Sequence, residues 1–402
     1  MSKHPFLILL ICIGCQSNSN TSDRYTLEQK ASLHMEATQK LTVEADSAIL
    51  IDLNPFLKEQ WFEFGSLVKE VKLVPLETTS ESILGNIEKV VVTDSHIYIR
   101  DDYKRGGLVI FTSQGKFVKR IPNGKGPGEL IRLYDIDYDK ENNELVAYRH
   151  SWLMFFSRSG QFIREKRLPF GFYNFAVIPD GYVFKTLDSQ GNEHLGALED
   201  YTLLVTDKDF KIKNAGLPYP PDDRICALSF LHKNSSFYIT HKFRDTIYQY
   251  TNTTNKLKAC YILDYSKKKF PMRYVNATRD EFNNVAKQND YYYYIGEYFD
   301  ADQHHFFTLS NMHVGYNTII FRDKQSGNMR GGTFPNYDPK EIPQIGYPVA
   351  VFNDYFISIY APGTNDTFSP TSSLIAAEDY AKVKNITKED NPVLVFYKLK
   401  GF

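Results

Sequence analysis

Cysteine is scarce in this chain: four residues in 402. Cys12 and Cys15 lie in the N-terminal apolar stretch, which leaves Cys226 and Cys260. These two form no CxxC pair, which excludes a zinc ribbon or a dithiol redox centre in the body of the chain. Two scattered thiols permit one disulfide in an oxidising compartment and otherwise read as buried thiols. An excess of one charge is also lacking. Lys and Arg number 47 against 48 Asp and Glu, a net charge of −1. This excludes nucleic acid as the expected partner, because phosphate binding leaves a domain basic. Long hydrophobic runs are missing too. Phe6–Ile13 is apolar but too short to cross a bilayer as a helix. The motifs GxSxG, HExxH and the EF-hand loop do not occur. In Gly124–Glu129 a lysine precedes the second glycine and no helix is expected to follow, so this is no Walker loop. Its glycines read instead as positive-φ turn positions. His304 and His305 are adjacent in an expected strand, so their rings face opposite ways and cannot share a metal. No catalytic residue, metal site or cofactor is assigned.

Aromatic residues, in contrast, are abundant: 28 Tyr and 29 Phe, 15% of the chain with Trp. Such side chains suit pleated, half-buried surfaces and point to strands. The N-terminus reads as an export signal, with Lys3 and His4 before the apolar run. The run ends at Gly14-Cys15, followed by polar Gln16-Ser17-Asn18. A small residue directly before Cys resembles a bacterial lipobox, although Cys12 stands where Leu is preferred. Cys15 is therefore the expected lipidation site, and the lipid the expected membrane contact. Residues 16–47 are polar and read as a tether. Ordered structure is expected over 48–402.

That region repeats itself. Leu108–Lys119 aligns with Leu153–Arg164 without a gap, at an offset of 45 residues. Each reads as strand, polar turn with Gly, strand. Weaker copies turn at 207–209, 253–255 and 325–327, and Pro392–Lys398 supplies a last strand. A further strand precedes each: 97–100, 145–148, 182–185, 237–240, 305–308 and 355–359. About four strands in some 45 residues is the size of a propeller blade. The expected fold is an all-β, six-bladed β-propeller of four-stranded blades with short helical insertions. The sixth unit lacks its outer strand, and Val68–Leu76 is spare, so this N-terminal strand is expected to close the ring and remove a sheet edge.

Val74-Pro75-Leu76-Glu77-Thr78-Thr79, Gly124-Lys125-Gly126-Pro127-Gly128-Glu129 and the six-unit layout resemble the six-bladed β-propeller lipoproteins common in Bacteroidetes. The resemblance covers about residues 48–402. It implies this fold and a cell-envelope location, as an outer-membrane lipoprotein facing the periplasm or the surface, and brings no chemistry.

Long insertions at 187–201, 266–290 and 362–391 fall in loops expected on one face, here called the top, and suggest a walled site. Residues 278–286 and 372–381 are the expected helical pieces of two of them. Second-strand ends should ring the channel mouth on this face. They nominate Arg100, Asp101, Arg149, His150, Lys185, His241 and Tyr360 as ligand-binding residues. Lys125 and Lys267–Lys269 add positive charge nearby. A cationic mouth draws anions, so the expected ligand is an anionic oligosaccharide or small carboxylate, with an envelope protein as another possible partner. Binding without catalysis is the first functional expectation. The alternative is a metal-dependent hydrolase or lyase at the central channel.

Overall fold

A computed structural model of the chain describes residues 24–402 apart from 59, 103–105, 127, 188–189, 220–228, 235, 252–255 and 364–366. The proposed leader and Cys15, the turn at 253–255, and Cys226 lie outside the described residues. Six four-stranded antiparallel units form a ring, so the chain is a six-bladed β-propeller. The innermost strands are Ile87–Val92, Leu133–Asp139, Asn174–Ile178, Ser229–Lys233, Tyr293–Asp300 and Ala350–Phe352 for blades one to six.

Burial follows position in the blade. In blade two the second and third strands, Glu144–Arg149 and Trp152–Ser157, are buried through Leu145–Tyr148 and Leu153–Phe156. Neighbouring blades cover both of their faces, so they read as continuous apolar runs rather than alternations. The outer strand, Phe162–Arg167, is exposed at every position and mostly charged. Phe155 and Phe156 thus face different neighbours, joining the cores of blades two and three and of blades one and two respectively.

The repeated glycine has a packing reason. Gly115 and Gly160 both adopt φ of 82°. Each lies against the preceding blade: a Cβ on Gly115 would stand 2.1 Å from Pro75 O, and one on Gly160 2.7 Å from the Ile110 side chain. Only glycine meets both demands, a left-handed turn and a close approach.

Closure occurs as expected. Val68–Pro75 pairs antiparallel with Val393–Leu399 as the fourth strand of blade six. The residues after it lock the seam onto blade one. Glu77 N donates to Gly115 O at 2.8 Å, and Glu77 Oε2 accepts from Phe117 N at 2.8 Å. Asn391 Nδ2 reaches back to Glu77 O at 2.9 Å.

Residues 24–47 depart from the tether expectation. They form a strap along the outside of the ring. Gln39–Lys40 runs parallel to the outer strand of blade three, Ile212–Pro218. Thr42–Glu44 and then Ile49–Asp52 run parallel to the outer strand of blade four, Lys256–Asp264. Tyr25 and Leu33 of the strap are buried, Leu33 in the core of blades two and three. The strap pairs through backbone groups that an exposed sheet edge leaves unsatisfied.

The insertions also differ from the walled site expected of them. Helix Arg279–Gln288 forms, with Thr278 as its N-cap, and packs beside blades four and five with Phe243 and Phe270. The second helix is Ala377–Val383, starting later than expected. Ser372 and Ser373 are engaged by the Glu341 carboxylate instead. This helix covers the outer edge of blade six: Leu73 N donates to Asp379 Oδ2 at 3.2 Å, and Val71 N to Leu374 O at 3.1 Å.

Candidate functional site

The six innermost strands enclose an axial channel of about 840 Å³. None of the described residues of the three long insertions lines it. Tyr134 and Tyr173, both more than two-fifths exposed, are among the aromatic lining residues, as are Tyr238, Phe299 and Phe352. The charged lining comprises four cations and seven carboxylates, a formal excess of three negative charges.

Most of these charges are engaged. Lys89 Nζ lies 2.6 Å from Asp135 Oδ1, joining blades one and two. Lys233 Nζ of blade four reaches Asp137 Oδ2 of blade two at 2.7 Å and also donates to Val177 O of blade three at 3.2 Å. The same two carboxylates bind the next blade's backbone: Phe175 N donates to Asp135 Oδ2 at 3.2 Å and Val177 N to Asp137 Oδ2 at 2.7 Å. Asp135 and Asp137 therefore fasten neighbouring inner strands together. Charges shared this way strengthen a buried network only because their hydrogen bonds are filled. Asp139 accepts from the turn amides of Glu141 and Asn142. Glu88 pairs with Arg100, and Glu141 with Lys208. Asp300 takes Lys324 at 2.7 Å and His305 at 3.2 Å. Burial pushes the Asp300 carboxyl up, but these bonds outweigh it and hold it below its ordinary range.

Glu297 is different. It lines the channel on a β-bulge in the innermost strand of blade five, where the register jumps between Tyr294 and Tyr298. Gly296 there has φ of 95°, and its carbonyl accepts from Thr240 Oγ1 at 2.5 Å and from His232 Nε2 at 3.0 Å. Burial pushes the His232 imidazole down to about 4, so it is neutral and donates to Gly296 O. The bulge is thus fixed from blade four. Burial also raises the Glu297 carboxyl, with the adjacent Thr308 hydroxyl opposing it.

The nominated mouth residues are scattered among other tasks. Arg100 alone lines the channel, and it is paired with Glu88 at 3.3 Å. Asp101 is buried against Arg120, with Nη1 to Oδ2 at 3.2 Å. Arg149 pairs with Glu165 at 3.2 Å. His150 is exposed in the following turn with φ of 38°. Lys185 is 1% exposed, its Nζ has no hydrogen-bond partner, and burial drives its amine well below the usual lysine range. His241 is buried nearby and pushed down by burial, then by the Lys185 and Arg244 charges. Tyr360 is buried against Phe368 at 4.6 Å between ring centres. Lys268 and Lys269 pair with Asp290 and Asp245. Of the expected mouth charges, Arg100, Arg149, Lys268 and Lys269 are ion-paired and Lys185 is enclosed away from the channel lining.

In Gly124–Glu129 only Gly128 takes the positive φ expected of the glycines, at 75°; the other two make room for Glu129. Glu129 Oε2 accepts from Gly126 N at 2.7 Å, and a Cβ on Gly124 would meet that carboxylate at 2.1 Å. His304 and His305 part company as well, to Lys400 O and Asp300 respectively. Among the described residues no three His, Cys, Asp or Glu side chains converge as metal ligands, and no helix is long and apolar enough to cross a membrane.

Residues 48–398 match the family model of a domain of unknown function, DUF4934. The chain belongs to this family. The match spans the propeller and begins just after the first two strap strands. No curated protein matches. Among solved structures, BF0058 from Bacteroides fragilis, designated an exported protein, superposes with a TM-score of 0.69 at 17% identity, covering 88% of this chain and all of that one. A protein of unknown function from Bacteroides caccae is 10% identical over 66% of this chain and 82% of its own, with a TM-score of 0.34. At 17% identity the likeness of this DUF4934 chain to the B. fragilis protein is one of fold alone.

Proposed function

We propose that this DUF4934 protein is a non-catalytic binding module of the cell envelope that takes a ligand into its axial channel. The observation that carries the reading is the channel itself. It has about 840 Å³ of space, aromatic walls and polar groups fixed by inter-blade bonds, the usual make-up of a pre-formed ligand site. The exported designation of the B. fragilis relative and the lipobox-like Gly14-Cys15 support an envelope location with a lipid anchor. An anionic glycan or carboxylate was the expectation from the mouth. The paired arginines, the enclosed Lys185 and the negative excess of the lining favour an uncharged or cationic ligand instead.

A thermal-shift screen of the chain lacking its first 20 residues tests this. The panel holds neutral, basic and acidic oligosaccharides, small amines and carboxylates, and Ca²⁺ or Zn²⁺ with and without chelator. A ligand at 100 times its Kd stabilises by about 2.7 kcal/mol. The expected result is stabilisation by neutral or basic compounds that is weakened by Phe299→Ala in the channel wall. Stabilisation by metal alone, reversed by chelator, would overturn the binding reading in favour of a metal-dependent hydrolase or lyase.

A further inference from the structure

Of the eleven charged residues lining the channel, three make no ion pair among the described residues: Asp139, Lys140 and Glu297. Asp139 is satisfied by its turn, and Lys140 is solvent-exposed. Of the three, Glu297 alone is neither solvent-exposed nor bonded within a turn. A second observation lies beside it. Thr308, 0% exposed, sets its hydroxyl beside this carboxyl and lowers it as a donor, while the hydroxyl oxygen accepts from no group among the described residues. Buried polar atoms are seldom left so. Both groups sit at a backbone bulge, a device that re-aims a side chain from a sheet and recurs beside functional sites. Neighbours from the adjoining elements supply no positive charge. Tyr294 on the same strand and Tyr347 before blade six are phenols that Glu297 itself influences. His232 from blade four is neutral at the Gly296 carbonyl.

We propose that Glu297, with the Thr308 hydroxyl, is the anchor for a protonated primary amine carried by the channel's ligand. An ammonium brings three donors and a charge, which matches an unpaired carboxylate and an unfilled hydroxyl oxygen. The aromatic walls suit the remainder of such a ligand, and aromatic faces attract cations as well. The inference rests on the reading of the channel as the ligand site. Burial raises the Glu297 carboxyl above its ordinary range, and pairing with an ammonium opposes that shift.

The probes are benzylammonium, benzyl alcohol and benzoate, which share one ring and differ in charge. They are titrated calorimetrically into the chain lacking its first 20 residues and into Glu297→Gln, which preserves shape and the contact with Thr308. The expected result is that benzylammonium binds about ten- to a hundred-fold more tightly than benzyl alcohol. Glu297→Gln should remove that preference while leaving the alcohol's binding unchanged, which also shows that the variant is folded. Affinity for benzylammonium should rise with pH as the carboxyl gives up its proton, and affinity for the alcohol should stay flat. Equal binding of the three probes, or a preference that survives Glu297→Gln, overturns the amine site and leaves the channel reading standing. If none of the three binds at tens of millimolar, both readings fall.

Discussion

Asp101 and Arg120 show how little a residue's position reveals of its task. Asp101 ends a second strand, where the channel mouth was expected, and on that ground was a ligand candidate. In the fold its carboxylate accepts from Gly85 N at 3.2 Å and Asn86 N at 3.0 Å, and meets the Arg120 guanidinium. Arg120 in turn donates to Glu81 O at 2.8 Å and Gly106 O at 2.9 Å. Both side chains are under a tenth exposed, so each leaves an uncompensated buried charge if the other is removed. Arg120→Ala is expected to cost about 3–5 kcal/mol, read as a shift in the urea midpoint, and to leave channel binding of any panel ligand unchanged in the folded protein. A loss below about 1 kcal/mol would mean that the pair is hydrated and contributes little. The sequence held no sign of this pair, because the partners are 19 residues apart on different strands. The same is true of Arg149 and Glu165, and of Lys233 and Asp137, whose contact crosses three blades. Charge at a strand end is legible from spacing, but its neutralisation is a property of the third dimension.

Among the elements, the strap best separates what pattern reveals from what it hides. Second and third strands were legible because burial on both faces demands unbroken apolar runs, as in Leu108–Phe111 and Leu153–Phe156. Hairpins were legible because Gly115 and Gly160 must turn left-handed against the preceding blade. Residues 24–47 carry no such signal. Thr42–Glu44 is exposed at all three positions, and its pairing with blade four uses the backbone, which every residue possesses. The only apolar anchors are isolated residues such as Tyr25, Leu33 and Leu41, which show neither a strand nor a helix period. Leu33 is 1% exposed in the core shared by blades two and three, and Leu33→Ala should cost about 2–5 kcal/mol. A chain starting at residue 48 loses these anchors and bares the outer edge of blade three and the Lys256–Lys258 part of blade four. It is expected to unfold at lower temperature than the chain starting at residue 21 and to aggregate through those edges. Equal unfolding temperatures for the two, in differential scanning calorimetry, would show that the strap adds nothing to the ring.

For the molecule as a whole, the question is whether six blades behave as one body. Each blade buries its faces only against its neighbours, so a blade alone cannot complete a core, and stability should accrue from the interfaces between units. A ring differs from an open array in having no terminal unit, and here that depends on one strand. Val68–Pro75 supplies the fourth strand of blade six and passes directly to blade one through Glu77. Lys72 offers a way to test the seam without touching the core. Its side chain is exposed, resting near Glu70 and over the Tyr355 ring at 4.6 Å, and its backbone stands opposite Phe396. The amides of Val71 and Leu73 point outward to the insertion of blade six, so by alternation that of Lys72 faces the ladder. Lys72→Ala removes only surface contacts and should change stability by no more than about 0.5 kcal/mol. Lys72→Pro deletes a ladder donor in the closing strand and should be far more costly, because proline is not accommodated inside a paired strand. If closure couples the ring, calorimetry of Lys72→Pro will show one transition, moved down as a whole, and hydrogen exchange will quicken in blades one and five as well as six. If exchange quickens only in Val68–Pro75 and Val393–Leu399 while the main transition stays in place, the blades stand independently and the seam is a local fastening.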